Sequence, residues 1–216
     1  MPVKKPYHHG ALKEALLSQA LQDLEAEGLE AVSLRHLAET AGVSKTAPYR
    51  HFADKRELLV TLAADGFRLL AEKLEEVMPP PSADPALVAP APHSPADPAP
   101  DSPADPRDAL RALFRAYMDF ARERPALYKL MISRLGFELH SEACRLNSER
   151  ALSCLIRAVA AAQAQGWRAH VDQVALVLSL WASVHGWATL LIDGLLPPGI
   201  SLEGDDWLRA AQVVLE

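Results

Sequence analysis

The 216-residue chain is short of several things, and each shortage narrows what it can be. It holds two cysteines, Cys144 and Cys154, ten residues apart in a stretch of helical periodicity. A rise of about 15 Å along one helix axis keeps them from bridging each other, so no disulfide framework is available. Aromatics make up only 6% of the residues and glycines number ten, while Ala and Leu dominate. That composition favours helices and argues against an all-β sandwich or barrel. No apolar signal core follows Met1, and no run reaches 18 apolar residues. The longest apolar stretch, Val174 to Ile192, is broken by Ser179, Ser183, His185 and Gly186, which reads as a core or interface helix. A cytoplasmic, soluble protein without a membrane partner is expected. Cationic residues are scarce too, 22 Lys and Arg against 28 Asp and Glu for a formal charge of -6, so any contact with nucleic acid must be local.

Catalytic signatures are equally thin. GxSxG, HExxH, paired ExxH, CxxC and a Gly-rich phosphate loop are all missing, which leaves a helical-bundle enzyme as a competing class with no motif behind it. Neither a cofactor nor a metal is expected.

What the chain does have begins with punctuation. Residues 79–106 hold 11 of the 17 prolines and four aspartates but no Lys or Arg. Proline withholds a backbone donor and turns the preceding residue away from the helical region. With few large apolar side chains to offset ordering entropy, the segment is expected to be a disordered linker, its PxxP spacing leaving partner binding as a lesser alternative. It separates a headpiece from a C-terminal part spanning 107–216.

In the headpiece, Leu12, Ala15, Leu16, Ala20 and Leu24 trace one helical face that should stop at Gly28. Ser33 is placed to cap a short helix over 34–41 ending at Gly42. Ser44 is placed to cap a second running to about Phe52, and Asp54 a third continuing through Leu58, Leu62, Phe67, Leu70 and Leu74. Two short helices around a three-residue turn have helix-turn-helix spacing, with the motif over 33–52. From Ser44 to Arg56 there are four cations, Lys45, Arg50, Lys55 and Arg56, against Asp54 alone. Positive charge is therefore concentrated where phosphates would be met. Beyond the linker, helices are expected over 107–124, 126–135, 142–165, 171–196 and 205–215. The fourth of these, apolar all round, should be buried on every side, which implies a second copy.

The segments EGLEAVSL, LAETAGVS and APYRHFADKRELL together resemble the DNA-binding domain of the tetracycline-repressor (TetR) family of bacterial transcription regulators, over about residues 10–70. RPALYKLMI and VHGWATLLIDG further resemble the subgroup with a Trp-His-Gly-type ligand domain. The resemblance implies an all-α fold, a helix-turn-helix headpiece followed by a helical ligand-binding and dimerisation bundle. It also implies a homodimeric repressor that a small-molecule inducer releases from palindromic operator DNA; a constitutive binder or an activator is the alternative.

Carried over by position, the resemblance makes Arg35 a base-contact candidate, its fork matched to guanine O6 and N7. Lys45 and Thr46 fall where base edges are read, and Tyr49 where a thymine methyl or a phosphate is met. Arg50 adds positive charge on the same segment, and His51 and Lys55 match phosphate positions. Ser33 and Ser44 would cap and could also touch phosphate. Pro48 stands where the family usually carries a buried Leu or Ile; early in its helix, it should leave that helix tight but intact. Lys4, Lys5, His8 and His9 could form a basic arm or a disordered tail.

For the inducer, the candidates are Tyr117, Phe120, Tyr128, Met131, Trp181 and His185, with ordinary core packing as the competing role for each. Trp181 and His185, four apart, share a helix face. Dimerisation is expected through 171–196 and 207–215, four helices across a two-fold axis.

Overall fold

A computed structural model of the chain describes residues 9–78, 105–133 and 141–196. Among the described residues there are seven α-helices, one 3-10 helix and no strand, the all-α class the composition predicts. The chain divides into two compact units, one drawn from within 1–70 and 120–149, the other from within 71–119 and 150–216.

In the first unit, α1 (His9–Glu27) buries Leu16, Ala20 and Leu24, one residue per turn on a single face. It ends where Gly28 returns its N–H to the Leu24 carbonyl at 3.0 Å. α2 (Leu34–Thr40) starts as expected, with Ser33 Oγ accepting from the His36 amide at 3.1 Å, and buries Leu34, Leu37 and Ala38. Gly42 then takes φ +64°, a left-handed turn that a side chain would strain, and Val43 N bonds back to Ala38 O. α3 (Lys55–Val77) opens with a reciprocal cap: Asp54 Oδ1 accepts from Glu57 N at 2.8 Å and the Glu57 carboxylate from Ala53 N at 2.6 Å. Pro125 starts α5 (Pro125–Ile132), which buries Leu127, Tyr128, Leu130 and Met131. That helix stops three residues before the predicted Leu135, with Ser133 extended; 134–140 lie outside the described residues.

α4 (Asp108–Glu123) passes from the second unit into the first and buries the predicted face, Leu110, Leu113, Phe114, Tyr117 and Phe120. Its start is anchored earlier than the sequence implies. Asp105 accepts from Arg107 N and Nε on one oxygen and from Arg107 Nη2 and Arg111 Nη1 on the other. The Arg107 guanidinium, foremost, holds this carboxyl well below the usual carboxylate range. Asp105 and Pro106, assigned to the linker from sequence, thus belong to the folded part, and 79–104 lie outside the described residues.

α6 (Glu142–Ala164) is capped by Ser141 Oγ on Cys144 N and runs beside α3 in both units. In the first, Asn147 Nδ2 donates to Ala64 O at 3.1 Å. In the second, Arg150 makes a two-pronged bond to Glu75 at 3.1 and 2.7 Å, and Arg157 donates to the Met78 carbonyl. Cys154 is fully buried there, and burial pushes its thiol pKa up.

α7 (Gln173–Ile192) is capped by Asp172 on Ala175 N. It is long and apolar enough by length and composition to cross a bilayer, yet only one face is buried, through Leu176, Val177, Leu180, Val184 and Ala188. Val174, Leu178, Trp181 and Leu190 stay exposed on the protomer, in line with a helix that one copy alone does not enclose. It also ends four residues before the predicted Leu196, and the last expected helix, 205–215, lies outside the described residues.

Candidate functional site

The segment after Gly42 departs most from the expected form. In place of a helix from Ser44 to Phe52 there is a turn followed by a 3-10 helix, Pro48–Arg50. Pro48 has no N–H to give the Ser44 carbonyl, and its ring crowds that carbonyl. Ser44 O accepts from Ala47 N at 2.9 Å instead, Ala47 O from Arg50 N at 3.2 Å and Pro48 O from His51 N at 2.9 Å, the tighter three-residue pattern. In a segment this short, one missing bond decides the helix type. Ser44 therefore caps no helix; its Oγ lies 3.2 Å from Thr46 Oγ1.

The turn sorts its side chains by direction. Pro48 and Phe52 are buried, so the proline fills the inward position of the usual aliphatic residue. Lys45, Thr46, Tyr49 and Arg50 are exposed, Tyr49 by 55% despite its ring. His51 is half-buried, its ring centroid 6.5 Å from that of Phe52. Arg35 stands exposed on α2, its Nε 3.2 Å from Glu39 Oε1. The Lys13 ammonium sits 5.8 Å above the Phe52 ring, a further cation beside the motif that charge counting over 44–56 does not reach. Lys55, expected at phosphate, donates to the Leu29 carbonyl at 2.9 Å and so also fastens the loop after α1 to the start of α3.

The six ligand candidates fall into two groups. Tyr117, Trp181 and His185 meet within the second unit. His185 Nδ1 lies 2.9 Å from the Trp181 carbonyl, which can only accept, so in the neutral ring Nδ1 carries the proton. Nε2 is left to accept from the Tyr117 hydroxyl at 3.0 Å. Burial lowers the His185 pKa, which keeps the ring neutral, and the Trp181 ring packs edge-on at 4.8 Å. Phe120, Tyr128 and Met131 belong to the first unit, where each is buried to 2% exposure or less.

A family model described as bacterial regulatory proteins, tetR family, matches residues 16–62, and one described as tetracyclin repressor-like, C-terminal domain, matches 110–212. The chain belongs to the TetR family. The HTH-type transcriptional repressor AcnR of Corynebacterium diphtheriae is 32% identical over 76 residues, 35% of this chain and 40% of that one. The chain spans less than half the length of the curated relatives it matches. A protein of unknown function from Rhodococcus sp. RHA1 superposes with TM-score 0.74 at 29% identity, covering 98% and 97% of the two chains. AibR, solved in complex with isovaleryl coenzyme A and operator DNA, shares the fold at TM-score 0.58 and 20% identity, over 94% and 96%.

One connection in this TetR-family chain escaped sequence reasoning. The α5 N-terminus has no local cap: Arg124 stands at the capping position with no side-chain bond, and Pro125 has no N–H. The two open amides, Ala126 N and Leu127 N, are taken by Glu25 of α1 at 3.1 and 3.0 Å. A helix start without Ser, Thr, Asp or Asn was the available signal, but its partner lies a hundred residues away.

Proposed function

We propose that the protein is a homodimeric transcriptional repressor that reads a palindromic operator and is released from it by a small-molecule inducer. The observation that carries this reading is the 44–56 turn. It buries Pro48 and Phe52 and turns Lys45, Thr46, Tyr49 and Arg50 outward, beside the exposed Arg35, in a chain that is acidic overall. Arg35 would leave Glu39 for a guanine edge, Lys45, Thr46 and Tyr49 would face bases or thymine methyls, and Arg50, His51 and Lys55 would hold phosphates.

The exposed apolar face of α7 supports dimerisation through that helix and the segment after it. Two motifs then read half-sites about 34 to 36 Å apart, so a small change in their separation weakens simultaneous docking. The inducer site of this reading draws on Tyr117, Trp181 and His185, with Phe120, Tyr128 and Met131 as further candidates, and fits the Trp-His-Gly-type subgroup. A neighbour of the same fold holding both a coenzyme A thioester and operator DNA supports a two-partner protein. The place of action is the cytoplasm.

Gel-shift titration against the DNA flanking its own gene, across a salt series, tests this. A footprint of two half-sites, with Arg35→Ala and Tyr49→Ala each lowering affinity, supports it. Weak, sequence-blind binding indifferent to both substitutions overturns it. Leu178→Asp should give a monomer that no longer protects two half-sites. Small-molecule screening on the same DNA separates an inducible repressor from a constitutive binder.

A further inference from the structure

α1 carries two carboxylates that point to different neighbours. Asp23 and Glu25 are two residues apart, about 200° around the helix, and so lie on opposite faces. On one side Asp23 Oδ1 accepts from Gln19 Nε2 at 2.8 Å, while buried Oδ2, with no hydrogen-bond partner, lies 3.7 Å from Nε2 of His36 on α2. On the other, Glu25 accepts both open amides of α5. α5 in turn rests on the backbone of α3. A Cβ built on Gly66 would lie 2.6 Å from Met131 Sδ and 3.1 Å from Leu127 Cδ1, so a side chain there would make the Met131 side chain of α5 shift. α5 therefore cannot move against α3 without moving the amides that Glu25 holds.

We propose that α1 is a two-sided lever and that Glu25 is the positioning residue tying the stance of α5 to the pose of the DNA-reading motif. A shift of α5 against Gly66 pulls Glu25, α1 follows as a rigid helix, and α2 follows α1 through Asp23 and the contact between the two helices, where Leu24 of α1 and Leu34 and Leu37 of α2 are each buried. The inference rests on the reading of 33–52 as the DNA contact and supplies a physical route by which Tyr128 or Met131, both on α5, report a displaced side chain to it.

The test is a double-mutant cycle on the full chain without ligand. Gly66→Ala and, independently, Met131→Ala perturb α5; each is made with Glu25 present and in a Glu25→Ala background. Amide exchange over α2 and 48–52 is the first readout and affinity for the DNA fragment the second. With Glu25 present, either perturbation should speed α2 exchange by about tenfold, within the range usual for coupled sites, while α7 amides stay unchanged. In the Glu25→Ala background neither should add anything, and Glu25→Gln, which keeps one acceptor oxygen, should restore part of the response. Equal effects in both backgrounds, no effect with Glu25 present, or acceleration spread evenly over α7 would overturn the lever. Should the wild-type chain bind no DNA while the exchange cycle holds, the repressor reading fails and the lever stands; DNA binding with a strictly additive cycle is the reverse.

Discussion

Tyr49 and Tyr128 are the same side chain in opposite circumstances. Tyr49 is more than half exposed on a 3-10 turn among cations, while Tyr128 keeps 1% of its surface on α5. Burial already accounts for Tyr128, since filling a core at crystal-like density is reason enough for a large ring. Among the described residues no packing accounts for Tyr49, which is the ring the proposed DNA contact would use. An outward aromatic is therefore the more telling of the two, although the sequence offers both as candidates, Tyr49 for DNA and Tyr128 for an inducer.

The sharpest way to break that contrast is to truncate each ring. Tyr128→Ala should cost about 3 to 5 kcal/mol of unfolding free energy, read by urea titration; a loss below 1 kcal/mol would mean the ring lines open space instead of core. Tyr49→Ala should leave stability within about 0.5 kcal/mol and weaken DNA binding by the equivalent of about 1 to 3 kcal/mol; the opposite pattern would move Tyr49 into the core class.

The two serines of the motif sharpen the contrast at smaller scale. Ser33→Ala removes a cap that exists and should cost about 1 kcal/mol, whereas Ser44→Ala removes only a contact with Thr46 and should cost a few tenths. Equal losses would mean that Ser44 caps a helix after all.

His185 gives the smallest and most directional effect. Burial lowers its pKa below the ordinary imidazole value of about 6.5, so below that pH the unfolded chain binds a proton that the folded chain resists. Stability then falls as pH drops from 6.5 toward the lowered folded value. In His185→Asn the decline in Tm between pH 7.5 and 5 should be shallower; an identical decline would remove His185 from the acid response.

Much of this molecule was legible in its residues, and the failures have physical causes. Gly28, Gly42, Ser33, Asp54 and Pro125 marked helix ends correctly because a cap or a left-handed turn is a local event involving a few neighbouring residues. The Ser44 helix failed although Pro48 was in plain view. Pro48 takes the donor from a segment only about one turn long, in which a single Phe52 N–H to Pro48 carbonyl bond keeps the α spacing. α7 misled in its length, ending at Ile192 instead of Leu196, while its uniformly apolar sequence did say that one copy leaves surface to cover, as exposed Val174 and Leu178 do. Glu25 was illegible because its partners, Ala126 and Leu127, meet it only once the chain has folded. Of the ligand candidates, the Tyr117, Trp181 and His185 cluster was half visible, in the four-residue spacing of Trp181 and His185; Tyr117 lies on a different helix.

The proline that shortens the reading turn has a thermodynamic side as well. A ring-locked φ at Pro48, with hydrogen bonds from Ala47 N to Ser44 O, Arg50 N to Ala47 O and His51 N to Pro48 O around it, leaves the turn few shapes to sample before it meets anything. Whatever docks there finds Lys45, Thr46 and Tyr49 mounted on a stiff backbone, so less ordering entropy is lost on contact. On the proposed reading, the short turn would give up reach along a groove and gain a pose set before contact.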